Sequence, residues 1–161
     1  MTGDRTDRML HRAMIVLTLV GIGIATYLTY VHYQKLSPIC STGGCERVQS
    51  SRYATVAGVP VPVIGLIGYI AILISLFLRG ELARLATALM TIGGFAFSVY
   101  LTFLELFRIH AICQWCVGSA TVMTLLAILA TTRALRAPED AFGDPASPLP
   151  ASVRDPEGEP V

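Results

Sequence analysis

Four stretches of this chain carry no Asp, Glu, Lys or Arg for long enough to cross a bilayer: Ala13 to Tyr33, Val59 to Leu78, Leu85 to Leu104 and Ala111 to Thr132. At a rise of about 1.5 Å per residue, about 20 residues reach about 30 Å, the thickness of the hydrocarbon core. A lone strand would leave its backbone groups unpaired in lipid, so helices are the form these runs must take. Charged residues make up 14% of the chain, against about 25% in an ordinary soluble domain, and they fall between and beyond the runs. With 12 Lys+Arg against 11 Asp+Glu the net charge is +1. Such a balance recruits no polyanion, so nucleic-acid binding is excluded along with a wholly disordered chain.

The expected fold is therefore all-α: a polytopic membrane protein, a bundle of four transmembrane helices with a long first extracytoplasmic loop. The first run is longer than the apolar core of a secretory signal, about 7 to 15 residues, and lacks a clear A-x-A cleavage pattern, so it reads as a retained helix. If the N-terminus is cytoplasmic, the inner segments hold Arg5, Arg8, Arg12, Arg79, Arg84, Arg133 and Arg136, and the outer loops hold Lys35, Arg47, Arg52 and Arg108. The positive-inside rule favours that orientation. It makes residues 1–12 a cytoplasmic N-terminal segment, residues 13–136 the membrane domain, and residues 137–161 a cytoplasmic tail. Pro138, Pro145, Pro148, Pro150, Pro156 and Pro160 crowd that tail with six acids, a composition expected to stay disordered. The glycines inside the runs, Gly21, Gly23, Gly65, Gly68, Gly93 and Gly94, are assigned to close helix approach.

The chemistry lies in four cysteines that this topology puts on one side, outside the cytoplasmic membrane. Cys113-Gln-Trp-Cys116 opens the fourth helix, so its two sulfurs share a helical face at a spacing a disulfide bridges. In the first turn they meet the positive end of the helix dipole and unpaired N–H groups, which favour thiolate. That is the design of a redox-active C-x-x-C. The loop pair, Cys40-Ser-Thr-Gly-Gly-Cys45, must turn back for its sulfurs to meet, and Gly43-Gly44 supplies the turn. A flexible loop of this kind suits thiol–disulfide exchange. Two structural disulfides in a non-enzymatic membrane scaffold are the competing reading, a four-cysteine zinc site the less favoured one, and no metal site is expected.

With both pairs placed, the sequence over about residues 11–136 resembles the bacterial homologues of vitamin K epoxide reductase (the VKOR family). The resemblance rests on four spans, a first outer loop with two cysteines, the string Ser50-Ser51-Arg52-Tyr53-Ala54 after the second, and C-x-x-C at the last helix. The DsbB family of four-helix disulfide oxidases is similar in function but has the pairs in the reverse order. The resemblance implies a membrane-quinone-linked thiol oxidase (ubiquinone or menaquinone) in the bacterial inner membrane. It implies a separate DsbA-like, thioredoxin-fold partner, since no thioredoxin-like domain follows the four spans here. By position, Cys40 looks like the cysteine the partner approaches, Cys45 the one that passes electrons through a transient Cys45–Cys113 disulfide, and Cys116 the one facing the quinone. Ser51 matches the family's loop serine near the active site. The segment Glu46 to Gly58 looks like a short lid helix over the quinone. The animal enzymes carry a tyrosine where this chain has Ala120, so epoxide reduction is not expected of it.

Phe103, Phe107 and Trp115 fall near the outer membrane boundary and are candidates to stack on a quinone ring, although aromatics gather at that boundary in any case. Glu105 is the carboxylate at the outer end of the third span. An ionisable group at that depth is a functional candidate, but an i,i+3 ion pair with Arg108 is the reading favoured by spacing. His32 and His110 sit at span ends, where an amphipathic ring is comfortable.

Overall fold

The structure is a computed structural model that describes residues 2–41, 43–78 and 80–136. The proline-rich tail anticipated from composition lies outside the described residues. Helices follow in chain order as α1 (Thr2–Tyr33), α2 (Cys45–Gln49), α3 (Val61–Phe77), α4 (Glu81–Leu104) and α5 (Gln114–Arg136). Between α2 and α3 run a 3-10 turn, Arg52–Ala54, and a two-stranded antiparallel hairpin, β1 (Thr55–Val56) and β2 (Val59–Pro60), paired Thr55 to Pro60 and Val56 to Val59. The hairpin closes on Ala57 and Gly58, both at positive φ (49° and 82°), which suits the right-handed twist of the flanking strands.

The four long helices form a closed ring. Helix α1 packs on α3 and α5, and α4 packs on α5 and α3. The segments Arg5–Tyr33, Glu81–Ile109 and Gln114–Leu135 are long and apolar enough to cross a membrane. Helix α3 is shorter, 17 residues, about 25 Å at the α-helical rise, because Val59 and Pro60 are spent on β2. The other boundaries also move. The third span starts at Glu81 rather than Leu85, the fourth at Gln114 rather than Ala111, and α1 begins before Ala13, taking in Thr2 to Arg12.

Both faces of the ring are apolar, as an all-α membrane bundle requires. Inside, Met14, Tyr69, Ile72, Leu76, Met123 and Leu126 form the core. Outside, Val16, Leu19, Ile67, Ile74, Leu89, Ile92, Val99 and Ile128 are exposed, a surface that water would not tolerate on this scale and lipid does. Hydroxyls within the helices are made harmless by bonding back along the chain. Thr18, Thr29, Thr102 and Thr124 each donate to the carbonyl four residues earlier, at 2.7–2.9 Å. Ser75 Oγ and Thr87 Oγ1, 2.8 Å apart, join α3 to α4 inside the core. At the end remote from the cysteines Arg133 ties α5 to α1, its Nε 3.3 Å from Asp7 Oδ1 and its Nη1 3.2 Å from His11 Nδ1.

Two of the span glycines do allow close approach. A Cβ on Gly21 would collide with the Tyr69 ring, and one on Gly94 with the Met123 side chain. Tyr69 is 1% exposed and is anchored on α5, its hydroxyl donating to Ser119 O at 3.0 Å, so the ring cannot yield to a new side chain without losing that bond. Gly21→Val is expected to lower stability by about 1–3 kcal/mol, read as an earlier thermal unfolding transition in detergent. Gly23→Val, whose Cβ would meet open space, is expected to stay near wild type.

Candidate functional site

The site is built around the start of α5. Cys113 stands just ahead of the first helical residue, Gln114, and its carbonyl accepts the first helical bond from Val117 N–H at 3.0 Å. Its sulfur accepts the Cys116 N–H at 3.3 Å, the bond a Ser or Asp side chain makes at an ordinary helix start. The C-x-x-C spacing thus makes one cysteine the cap of the helix and puts the other in its first turn. Cys113 is fully buried and Cys116 half-buried, and both are free thiols. The Cys116 thiol donating to the Cys113 sulfur holds the Cys113 thiol below its ordinary range. The N–H groups of Cys116 and Trp115 add to this, while burial and the Glu105 charge oppose it.

The approach to Cys113 is shaped by the end of α4. Beyond Leu104 the helix widens into a π turn, Glu105–Ile109, and stops on His110 in the left-handed region, φ 54°. Ala111 N–H closes the reversal on Glu105 O at 3.2 Å. Glu105, 5% exposed, is turned inward, and its Oε2 accepts the Cys113 N–H at 3.1 Å. The ion pair with Arg108 expected from spacing does not form; among the described residues Glu105 bonds to the C-x-x-C instead.

The loop pair sits directly on this arrangement. Cys40 and Cys45 are joined in a disulfide with their Cα atoms 6.0 Å apart, and the reversal uses Gly43 at φ 70°. Cys40 is half-buried and Cys45 fully buried. Gly44 lies so close to Ile112 that a Cβ on it would collide with the Ile112 backbone, so the residues immediately preceding Cys45 and Cys113 touch main chain to main chain. The two residues between Cys113 and Cys116 hold the other side of the loop. Gln114 Oε1 accepts Ser41 N–H at 3.1 Å, and Trp115 Nε1 donates to Ile39 O at 2.8 Å. Tyr27 on α1 completes the clasp, its hydroxyl accepting Ile39 N–H at 3.1 Å and its ring 4.8 Å from that of Trp115. Tyr27 and Gln114 were not distinguished by the sequence, since their partners are backbone groups in a distant loop.

Below the loop the ring of helices encloses a cavity of about 410 Å³. Cys116 and Glu105 face it from one side, and Gly65, Gly68, Gly93 and Ala120 are among the small residues that make its room. Val48, Ser51, Tyr53 and Ala54, from α2 and the turn after it, close it on the cysteine side. The segment read as a lid helix is therefore a short helix and a 3-10 turn over a cavity. Of the candidate quinone contacts, Ser51 is on the wall, its Oγ donating to Val48 O at 2.8 Å. Phe103 and Phe107 stack on each other on the outside, 53% and 62% exposed. At about 100° per residue, positions two away from an inward Glu105 point outward, so neither ring lines the cavity. Trp115 is held by the loop clasp and is also off its wall.

The family model of the vitamin K epoxide reductase family matches residues 12–131. This chain belongs to that family. The match takes in all four long helices, the lid and both cysteine pairs, so the bundle is that of a VKOR-family membrane thiol oxidoreductase, a redox enzyme.

Two outcomes follow from the geometry. Gly44→Ala forces the loop away from Ile112 and is expected to slow electron transfer between the two pairs at least about tenfold, a loss of about 1.4 kcal/mol in the transition state, read by quenched single-turnover thiol mapping. Cys116→Ala removes the main donor to the Cys113 sulfur, so thiolate formation at Cys113 is expected to move to higher pH, followed by thiolate ultraviolet absorbance in the Cys40→Ser, Cys45→Ser background.

Proposed function

We propose that this protein is a quinone-linked thiol oxidase that reoxidises a DsbA-like, thioredoxin-fold partner outside the cytoplasmic membrane, with both termini cytoplasmic. The observation that carries the reading is the placement of Cys116 on an apolar cavity while Cys40 lies half-buried in the loop above, between the exposed Ile39 and Ser41. One redox chain then has an end in each phase. Water-soluble thiols meet Cys40, and a lipid-soluble acceptor meets Cys116.

The exchange balances sulfur by sulfur, starting with both pairs oxidised. A partner thiolate attacks Cys40, forming a mixed disulfide and releasing Cys45 as thiolate. Cys45 attacks Cys113, opening the Cys113–Cys116 disulfide and releasing Cys116. The partner's second thiol resolves the mixed disulfide and releases Cys40, which attacks Cys45 and expels Cys113. A thiol with a depressed pKa leaves faster, which suits Cys113 to this last step. The outcome is a closed Cys40–Cys45 bridge over two free thiols at Cys113 and Cys116, the same sulfur pairing that the structure has.

The cavity fits a quinone by size and chemistry. Its volume lies within the about 300–1,000 Å³ of small-molecule sites, and such sites are apolar with a few convergent polar groups. Tyr53, Tyr69, Ser51 and Glu105 are such groups here. A quinone bound there supplies a sink for two electrons and two protons. The competing reading, a scaffold with two structural disulfides, is disfavoured by the free thiols of the C-x-x-C, which a staple would have closed.

In the double variant Cys40→Ser, Cys116→Ser, non-reducing peptide mapping is expected to find a Cys45–Cys113 disulfide, and the reduced wild type is expected to lose two thiols on mixing with a short-chain benzoquinone. Absence of both would overturn the relay.

A further inference from the structure

The buried carboxylate of Glu105 has a task that the sulfur relay leaves open. Converting the two thiols to a disulfide gives up two electrons and two protons. The proton at Cys113 is the more easily lost one, because that thiol is held below its ordinary range. The proton on Cys116 is harder to place, as its thiol sits on an apolar cavity; beside it are the Cys113 sulfur, which accepts the Cys116 N–H at 3.3 Å, and the Glu105 carboxylate, which accepts the Cys113 N–H at 3.1 Å and lines the same cavity. Once the two sulfurs bond to each other, Cys113 no longer accepts. Glu105 is then the carboxylate left on the same cavity wall as Cys116.

The surroundings of Glu105 are matched to that use. It is 5% exposed, and no Lys, Arg or His is among the residues lining the cavity, so no cation locks it as a carboxylate. An unpaired buried charge is costly and a neutral carboxylic acid is not. While the pair is reduced, the charge is offset by the Cys113 N–H at 3.1 Å and by the N-terminal end of α5. The other titratable groups on the wall are the phenols of Tyr53 and Tyr69, and Tyr69 is already committed to Ser119. The π turn is what aims Glu105, and such turns inside helices occur often at functional sites.

We propose that Glu105 is the proton acceptor for Cys116: as Cys113 and Cys116 are oxidised to a disulfide, the Cys116 S–H proton passes to the Glu105 carboxylate, which holds it at the cavity wall for delivery to the acceptor that takes the two electrons. The second proton, from Cys113, goes to water, and water returns one to the acceptor, so two electrons and two protons are transferred in all. Delivery rests on the quinone reading of the cavity, whereas the proton capture itself does not.

The test uses the full chain in detergent, reduced at Cys113 and Cys116, in two measurements. In the first, diamide oxidises the pair with no quinone present, and the infrared difference spectrum is recorded. Wild type is expected to gain a protonated-carboxyl band, and Glu105→Gln, which retains an oxygen to accept the Cys113 N–H, is expected to lack it. In the second, oxidation by a short-chain benzoquinone is followed as a function of pH. Glu105→Gln is expected to lose about 100-fold in kcat or more with KM changed by less than about twofold, and Glu105→Asp to recover part of the rate. A wild-type spectrum without the band, a band that survives in Glu105→Gln, or a Glu105→Gln kcat within about threefold of wild type overturns the proposal. Failure of wild type to react with the benzoquinone at all overturns the quinone reading instead, and the infrared band still decides for or against Glu105.

Discussion

A helix that crosses a bilayer must start where its first N–H groups find acceptors, and α5 starts on a sulfur. Cys113 Sγ takes the Cys116 N–H, so a single interaction both begins a membrane span and fixes the two cysteines of the C-x-x-C relative to each other. A serine in that place would cap the helix equally well and carry no electrons. Because the cap is the redox group, the site cannot drift from the helix end. It is held at the level where the ring of helices gives way to the loop, with the cavity on one side and the disulfide on the other.

The clasp around Cys40 extends the same economy. Gln114 and Trp115 occupy the two positions that C-x-x-C spacing leaves free, and both spend their polar atoms on the backbone beside Cys40. The first turn of α5 thereby locates the loop disulfide as well as its own thiols. Main-chain contact between Gly44 and Ile112 sets the distance from the other side. Because these bonds run to backbone atoms at Ile39 and Ser41, the loop residues themselves are unconstrained in side-chain type as far as the clasp is concerned. On the proposed reading, that leaves the exposed surface around Cys40 open to be shaped by the partner.

Charge patterning made the bundle legible before any coordinates. Lipid imposes a simple rule on composition, and the four uncharged runs obey it, so the number and rough place of the helices could be read directly. The four cysteines were legible for a related reason, since their spacing encodes which pairs share a helix turn and which need a glycine reversal. Boundaries were less so. Val59 and Pro60 are apolar enough to extend a span, but positive φ at Ala57 and Gly58 commits them to a hairpin, and α3 is shortened accordingly. The pairing of Glu105 with Arg108 went astray. It assumed α-helical spacing on an exposed rim, and the inward turn of Glu105 breaks that assumption; what stabilises the turn is the Cys113 N–H, a partner eight residues on that no local pattern announces.

The small residues of the cavity bear on what it can accept. Gly65, Gly68 and Gly93 leave open space where a Cβ would stand, unlike Gly21 and Gly94, which are pressed against neighbouring side chains. Glycine in a helix interior costs about 1 kcal/mol relative to alanine in water. Three of them facing empty space have no packing gain to offset that cost; what they contribute is room in the cavity. Ala120 adds to the same room from α5. A tyrosine there would bring a hydroxyl into the cavity close to Cys116, one turn away on the same helix. Its absence leaves Glu105 as the carboxylate, with Tyr53 and Tyr69 as the phenols, on a largely apolar wall. A cavity of this kind discriminates by width and apolarity, and on the proposed reading it concentrates the management of protons on the acidic group held beside the C-x-x-C by the Cys113 N–H.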